Sequence, residues 1–169
     1  YAATTSINQS GPVKVSILLS KEQLAKPTTS NLTTKEKLTL GLANEYAHAA
    51  IDCKFPETIR KNSFTGGNVV LASSKRNITV TPLIASEAAS DLASLTNGER
   101  LGTMFLRSAV NPDYIVTSAL MEKSIQGAIN QGLLPPGRFK MEDVANQLDT
   151  NKALNSYVKT ALKEELTKF

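Results

Sequence analysis

The sequence predicts an α+β fold: a strand-bearing N-terminal half (one strand plus a short hairpin) around a central helix, then an all-helical C-terminal half of about five helices. Three observations predict it. Residues 13–19, VKVSILL, alternate so that Val13, Val15, Ile17 and Leu19 share one face of a strand. Residues 68–72 and 78–81 are short β-prone runs on either side of a polar turn, Ser73 to Asn77, and Pro82 ends the second. Beyond Pro82 the apolar period changes from two to 3.6 and stays there to the end. The 169 residues read as a single domain, 1–169, with a sub-boundary near 82 between a mixed part and a helical part.

In chain order, residues 1–11 are polar and weakly β-favouring, and Gly11-Pro12 closes them off. Ser20 to Gln23 has capping-box form and starts one helical turn, which Pro27 stops. Thr33 to Glu36 is a cleaner capping box and opens the central helix, from Thr34 to about Cys53, before Phe55-Pro56. On a helical wheel its apolar residues, including Leu38, Leu40, Leu42, Ala43, Tyr46, Ala47 and Ala50, cover well over half the circumference. Such a helix is expected to be wrapped by its neighbours on several sides. Lys37, Gly41, Asn44, Glu45, His48 and Asp52 share the strip that remains, which reads as a hydrogen-bonded seam or contact edge.

In the second half, Ser86 is expected to cap a short helix that Gly98 stops. A helix over about 99–109 puts Leu101, Met104 and Phe105 on one side and Arg100, Thr103 and Arg107 on the other. Asn111-Pro112-Asp113 supplies a cap, a first-turn proline and an acid at the positive helix end, and starts a helix that runs to Gln131 and stops at Gly132. Two further helices follow at about 141–148 and 151–168.

Composition bounds the function. The chain is 41% hydrophobic and 20% charged, which fits an ordered globular protein, and its net charge of +4 lacks the dense Lys/Arg clustering of a committed nucleic-acid binder. One cysteine, Cys53, excludes an internal disulfide and any multi-cysteine metal site. No apolar run reaches the ~18–20 residues that span a bilayer. A start at Tyr1 instead of Met points to a processed chain and an extracellular or virion setting.

Candidate chemistry is thin. Glu45, His48 and Asp52 lie at i, i+3 and i+7, and Glu-x-x-His is a spacing used by carboxylate-bridged metal sites in bundles. Those sites need a second copy, and His48 is the only histidine, so no cofactor or metal is expected and the three residues read as a pH-sensitive polar seam. A nucleophilic triad would have to use His48; Cys53 lies about 140° from it around the helix. No Gly-x-Ser-x-Gly elbow and no phosphate-binding glycine loop occurs. Sequons at Asn8, Asn31 and Asn77 are as frequent as chance allows in so Ser/Thr/Asn-rich a chain.

Residues 141–163 have a helix-turn-helix outline, with Val144, Ala145, Leu148 and Val158 at its apolar positions. Asp149 and Asn155 depart from it. Its second helix would offer Asn151, Lys152, Asn155, Lys159 and Lys163 to nucleic acid. The function expected first is instead a non-enzymatic structural or assembly subunit, of a filament, virion or large complex. Its partners would be copies of itself or other subunits, and its N-terminal arm (1–19), with Tyr1, Ile7, Val13, Val15 and Ile17, would pack on a neighbour. A DNA-binding protein and an enzyme with a site invisible to motifs are the alternatives.

Overall fold

The computed structural model describes residues 3–8, 14–26, 32–54, 68–70 and 77–167, and over these the chain is predominantly helical. This corrects the α+β expectation. Strand β1 (Ala3–Asn8) pairs antiparallel with β2 (Lys14–Leu19), Ala3 opposite Leu19 and Asn8 opposite Lys14. Strand β3 (Asn68–Val70) pairs antiparallel with β4 (Asn77–Thr79). The two ribbons are separate, and among the described strands neither extends into a larger sheet. Two strands cannot bury an apolar face by themselves. Leu18 and Leu19 of β2 accordingly stay exposed, while Ile78 and the adjoining Val80 reach the core.

Seven α-helices are described: α1 (Lys21–Ala25), α2 (Thr34–Lys54), α3 (Pro82–Thr96), α4 (Leu101–Val110), α5 (Ile115–Asn130), α6 (Met141–Thr150) and α7 (Lys152–Leu166). A 3₁₀ turn, Pro112–Tyr114, joins α4 to α5. The core is helix on helix. Ala85, Ala88 and Leu95 of α3, Leu101 and Met104 of α4, and Val116, Ala119, Leu120, Met121 and Ala128 of α5 meet in it. Val144 and Leu148 of α6 join them, and α7 supplies Leu154, Val158, Leu162 and Leu166 at a strict i+4 spacing, one narrow stripe facing inward. Helix α5 packs against α3, α4 and α7 and is the element the described core is built around.

That displaces α2 from the central place expected of it. Its bounds agree with the sequence signals, and Thr33 and Glu36 form the capping box, Thr33 N donating to Glu36 Oε2 at 2.7 Å and Glu36 N to Thr33 Oγ1 at 3.2 Å. Among the described residues its neighbours leave one side of it open. None of its described side chains belongs to the main core, and Tyr46, in the middle of the apolar arc, is 64% exposed. The buried positions are Leu40, Gly41, Asn44, Glu45 and Ala49, so α2 lies on α3 along its polar strip. Ribbon strands β1 and β2 and helix α1 pack in turn on α2.

Helix boundaries follow local chemistry. Thr81, with Pro82 behind it, caps α3 by accepting from Ile84 N at 3.3 Å, which corrects the assignment of that role to Ser86. Gly98 adopts φ 96° after α3, and the bonds Gly98 N to Leu95 O (3.5 Å) and Glu99 N to Ser94 O (2.9 Å) complete a Schellman turn. The same turn ends α5 at Gly132. Asn111 Oδ1 accepts from Asp113 N at 3.0 Å, as its position before proline suggested.

Candidate functional site

The polar side chains that the fold gathers lie along one stripe of α3. Ser86, Glu87, Ser90, Asp91 and Ser94 recur at i, i+1, i+4, i+5 and i+8, and all are buried or half-buried. The first end of the stripe meets α2. His48 Nδ1 lies 2.7 Å from Ser86 Oγ, and His48 Nε2 lies 3.5 Å from Glu87 Oε2. The other end meets α4 and α5. Asp91, with no exposed surface, accepts from Arg107 Nη2 and from Thr117 Oγ1. Arg107 Nη1 also donates to Glu99 Oε1 at 2.5 Å, and its guanidinium sits 4.7 Å above the centre of the Tyr114 ring. The Tyr114 hydroxyl interacts with Glu87 and joins the two ends.

Arg107 thus serves two buried carboxylates. Burial pushes the Asp91 carboxyl up from 3.8 to about 6, against the opposing pull of Arg107 and the Thr117 hydrogen bond. Glu87 is also raised, chiefly by burial, while the charge of His48 and the Tyr114 hydrogen bond oppose the rise. The Tyr114 hydroxyl is held above its ordinary value by burial and by the nearby Glu87. At neutral pH the cluster therefore carries ionised carboxylates at a cost, which the single guanidinium offsets.

Ser86, His48 and Glu87 have the composition of a nucleophilic triad, but their placement does not suit that chemistry. Ser86 is 3% exposed and sits inside α3, where no acyl group could approach its hydroxyl. Glu87 Oε2 makes no hydrogen bond that meets geometric criteria, so the acid does not orient the imidazole tightly. Among the described residues no group of three or more His, Cys, Asp or Glu side chains is arranged to hold a metal ion. What the cluster can do is bind and release protons and fix helices against one another.

Of the residues singled out in sequence, Glu45 and His48 are brought into the α2–α3 seam, and Asp52 is described in its backbone alone. Ile7 stands opposite Val15, and Thr5 opposite Ile17, within one chain. Tyr1 and Val13 lie outside the described residues, as do Asn31 and most of the turn after β3. The 141–163 segment departs from the helix-turn-helix outline, because α6 runs on through Asp149 and Thr150 and one residue, Asn151, separates it from α7. Asn151 caps α7 through Leu154 N at 3.2 Å, and Asn155 Nδ2 donates to Leu148 O at 2.7 Å. Both amides are structural. Lys152 is exposed, and Lys159 and Lys163 are half-buried. Asp149 also has a structural task, since its Oδ1 accepts from Gly102 N at 2.9 Å and its Oδ2 pairs with Arg100 Nε at 3.1 Å, capping α4 from another helix.

Sequence reasoning missed Asp91 and Arg107. The available signal was a carboxylate in the Ala/Ser/Leu run of α3 and a lone guanidinium in the apolar run of α4, since a charge in such a run needs a buried partner. No described helix is long and apolar enough to cross a membrane. Comparison of the chain with protein-family models, curated proteins and solved structures found no match.

Proposed function

We propose that the protein is a non-enzymatic assembly subunit whose copies meet through the N-terminal ribbon and the outward face of α2. The observation that carries this reading is the apolar surface of two adjoining elements. Leu18 and Leu19 on β2 and Tyr46 on α2 are all exposed, and β2 pairs on one side only among the described strands. An open strand edge flanked by apolar side chains suits strand addition between chains. Helical packing supplies the rigid body that presents this surface.

Sedimentation velocity over a wide concentration range tests the reading. Association is expected for the native chain, and Leu18→Lys together with Tyr46→Lys should abolish it while leaving the far-UV spectrum unchanged. A strict monomer at every concentration, or association indifferent to both substitutions, overturns the proposal. A shift that needs duplex DNA and vanishes with salt would move the interaction to the lysines of α7.

A further inference from the structure

Helix α2 is docked with its polar strip inward. Asn44 is 1% exposed, and its Nδ2 has no hydrogen-bond partner among the described residues, an arrangement that costs free energy as long as the helix stays down. Glu45 and His48 are buried and half-buried beside it, while the more apolar side, with Tyr46 and Ala50, faces out. The elements that precede α2 are attached to it: β1 and β2 pack on it, and Lys37 Nζ holds the end of α1 by donating to Leu24 O at 3.1 Å and to Lys26 O. A seam this polar resembles a reversible contact between units more than the interior of a core.

We propose that α2, with the ribbon and α1 it carries, is a latch on the helical body, and that its grip is set by the protonation of Glu87 where His48 of α2 meets it. Glu87 is faced by His48 from α2, by Tyr114 and Asp113 from the 3₁₀ turn, and by Arg107 from α4. When α2 lifts, water reaches Glu87 and its carboxyl returns toward the ordinary 4.5; when α2 docks, burial raises it. Docking therefore takes up a proton. The contribution is fully present below 4.5 and is lost as pH rises through the docked carboxyl's higher value, so alkali loosens the latch and mild acid tightens it. The inference concerns this one chain and stands apart from the assembly reading.

Hydrogen–deuterium exchange on the intact chain between pH 5 and pH 8, with rates corrected for the intrinsic pH dependence of exchange, tests it. Amides of α2 should open more readily than those of α5 at every pH. The α2 opening constant should rise with pH by up to ~10-fold per pH unit between the lifted and the docked carboxyl's values, and level off once the docked carboxyl ionises. Glu87→Gln should flatten or reverse that rise. A single opening constant shared by α2 and α5, an α2 opening constant unchanged across the range, or a rise that survives Glu87→Gln would each overturn the proposal. The first two readouts use the native chain, so they hold even if the variant folds poorly.

Discussion

Replacing Arg107 with Met removes the one cation that serves both Asp91 and Glu99 while keeping most of the side chain's volume. In the native protein, moving the Asp91 carboxyl from 3.8 to about 6 already costs folding about 3 kcal/mol at neutral pH. Without the guanidinium the carboxyl rises further. If it stays protonated throughout, the cost at pH 7.5 reaches a ceiling of about 5 kcal/mol. The added loss through Asp91 is then about 2 kcal/mol, and the severed charge-assisted bonds to Glu99 add about 1–3 kcal/mol. Arg107→Met is therefore expected to destabilise by about 3–5 kcal/mol at pH 7.5. Stability from a raised carboxyl is complete below its unfolded value and is lost as pH rises through its folded value. At pH 5 Asp91 is mostly protonated with or without Arg107, so its share of the loss nearly disappears and the defect shrinks by about 2 kcal/mol. Urea unfolding followed by circular dichroism at the two pH values measures both numbers, and Asp91→Asn in the Arg107→Met background should recover the pH-dependent share. A defect below about 1 kcal/mol at pH 7.5, or one of equal size at both pH values, would refute the assignment of Arg107 as counter-charge to Asp91.

Other substitutions probe the packing that holds this cluster in place. Gly102→Ala puts a Cβ 2.4 Å from Ala145 O and 2.7 Å from Asp149 Oδ2, so α4 and α6 must separate, and urea unfolding should show a loss of about 1–3 kcal/mol. Asp149→Ala removes the cap on α4 and should cost about 1–2 kcal/mol in the same assay, whereas Asp149→Asn, which keeps an acceptor for Gly102 N, should cost less. Leu154→Ala empties a fully buried position where α7 meets the core and should lower stability by about 2–5 kcal/mol, with a matching fall in the thermal midpoint.

Much of the helical half was legible because its signals are local. Asn111-Pro112, Gly98, Gly132 and the Thr33–Glu36 box each act within five residues, and each does in the structure what its chemistry dictates. The fold class was misread for a related reason. A β-prone run announces a strand, but whether strands form a layer depends on how many pair, and pairing is a tertiary matter. The Asp149 cap and the Asn155 bond to Leu148 O illustrate the same limit. Both residues looked like departures from a motif because their partners, Gly102 and the last turns of α6, are set by packing between helices.

The wheel of α2 shows most clearly what periodicity can and cannot decide. Amphipathic pattern states that two faces differ; the partner decides which one is buried. The stripe on α3 offers hydroxyls and carboxylates, and against it the imidazole of His48 finds a partner that a leucine could not use, whereas Asn44 Nδ2 finds none among the described residues. On the apolar side of α2, Leu38, Leu42, Ala43 and Ala47 stay half-buried and only Tyr46 and Ala50 are exposed among the described side chains, so leaving it outward forfeits little burial, Tyr46 excepted. His48 and Glu87 meet in the seam through a contact that depends on protonation, whereas the core around α5 is held chiefly by buried apolar area. One half of the molecule responds to pH where it meets the other, and the carboxylate at that junction, Glu87, is linked through Tyr114 to the guanidinium that neutralises Asp91.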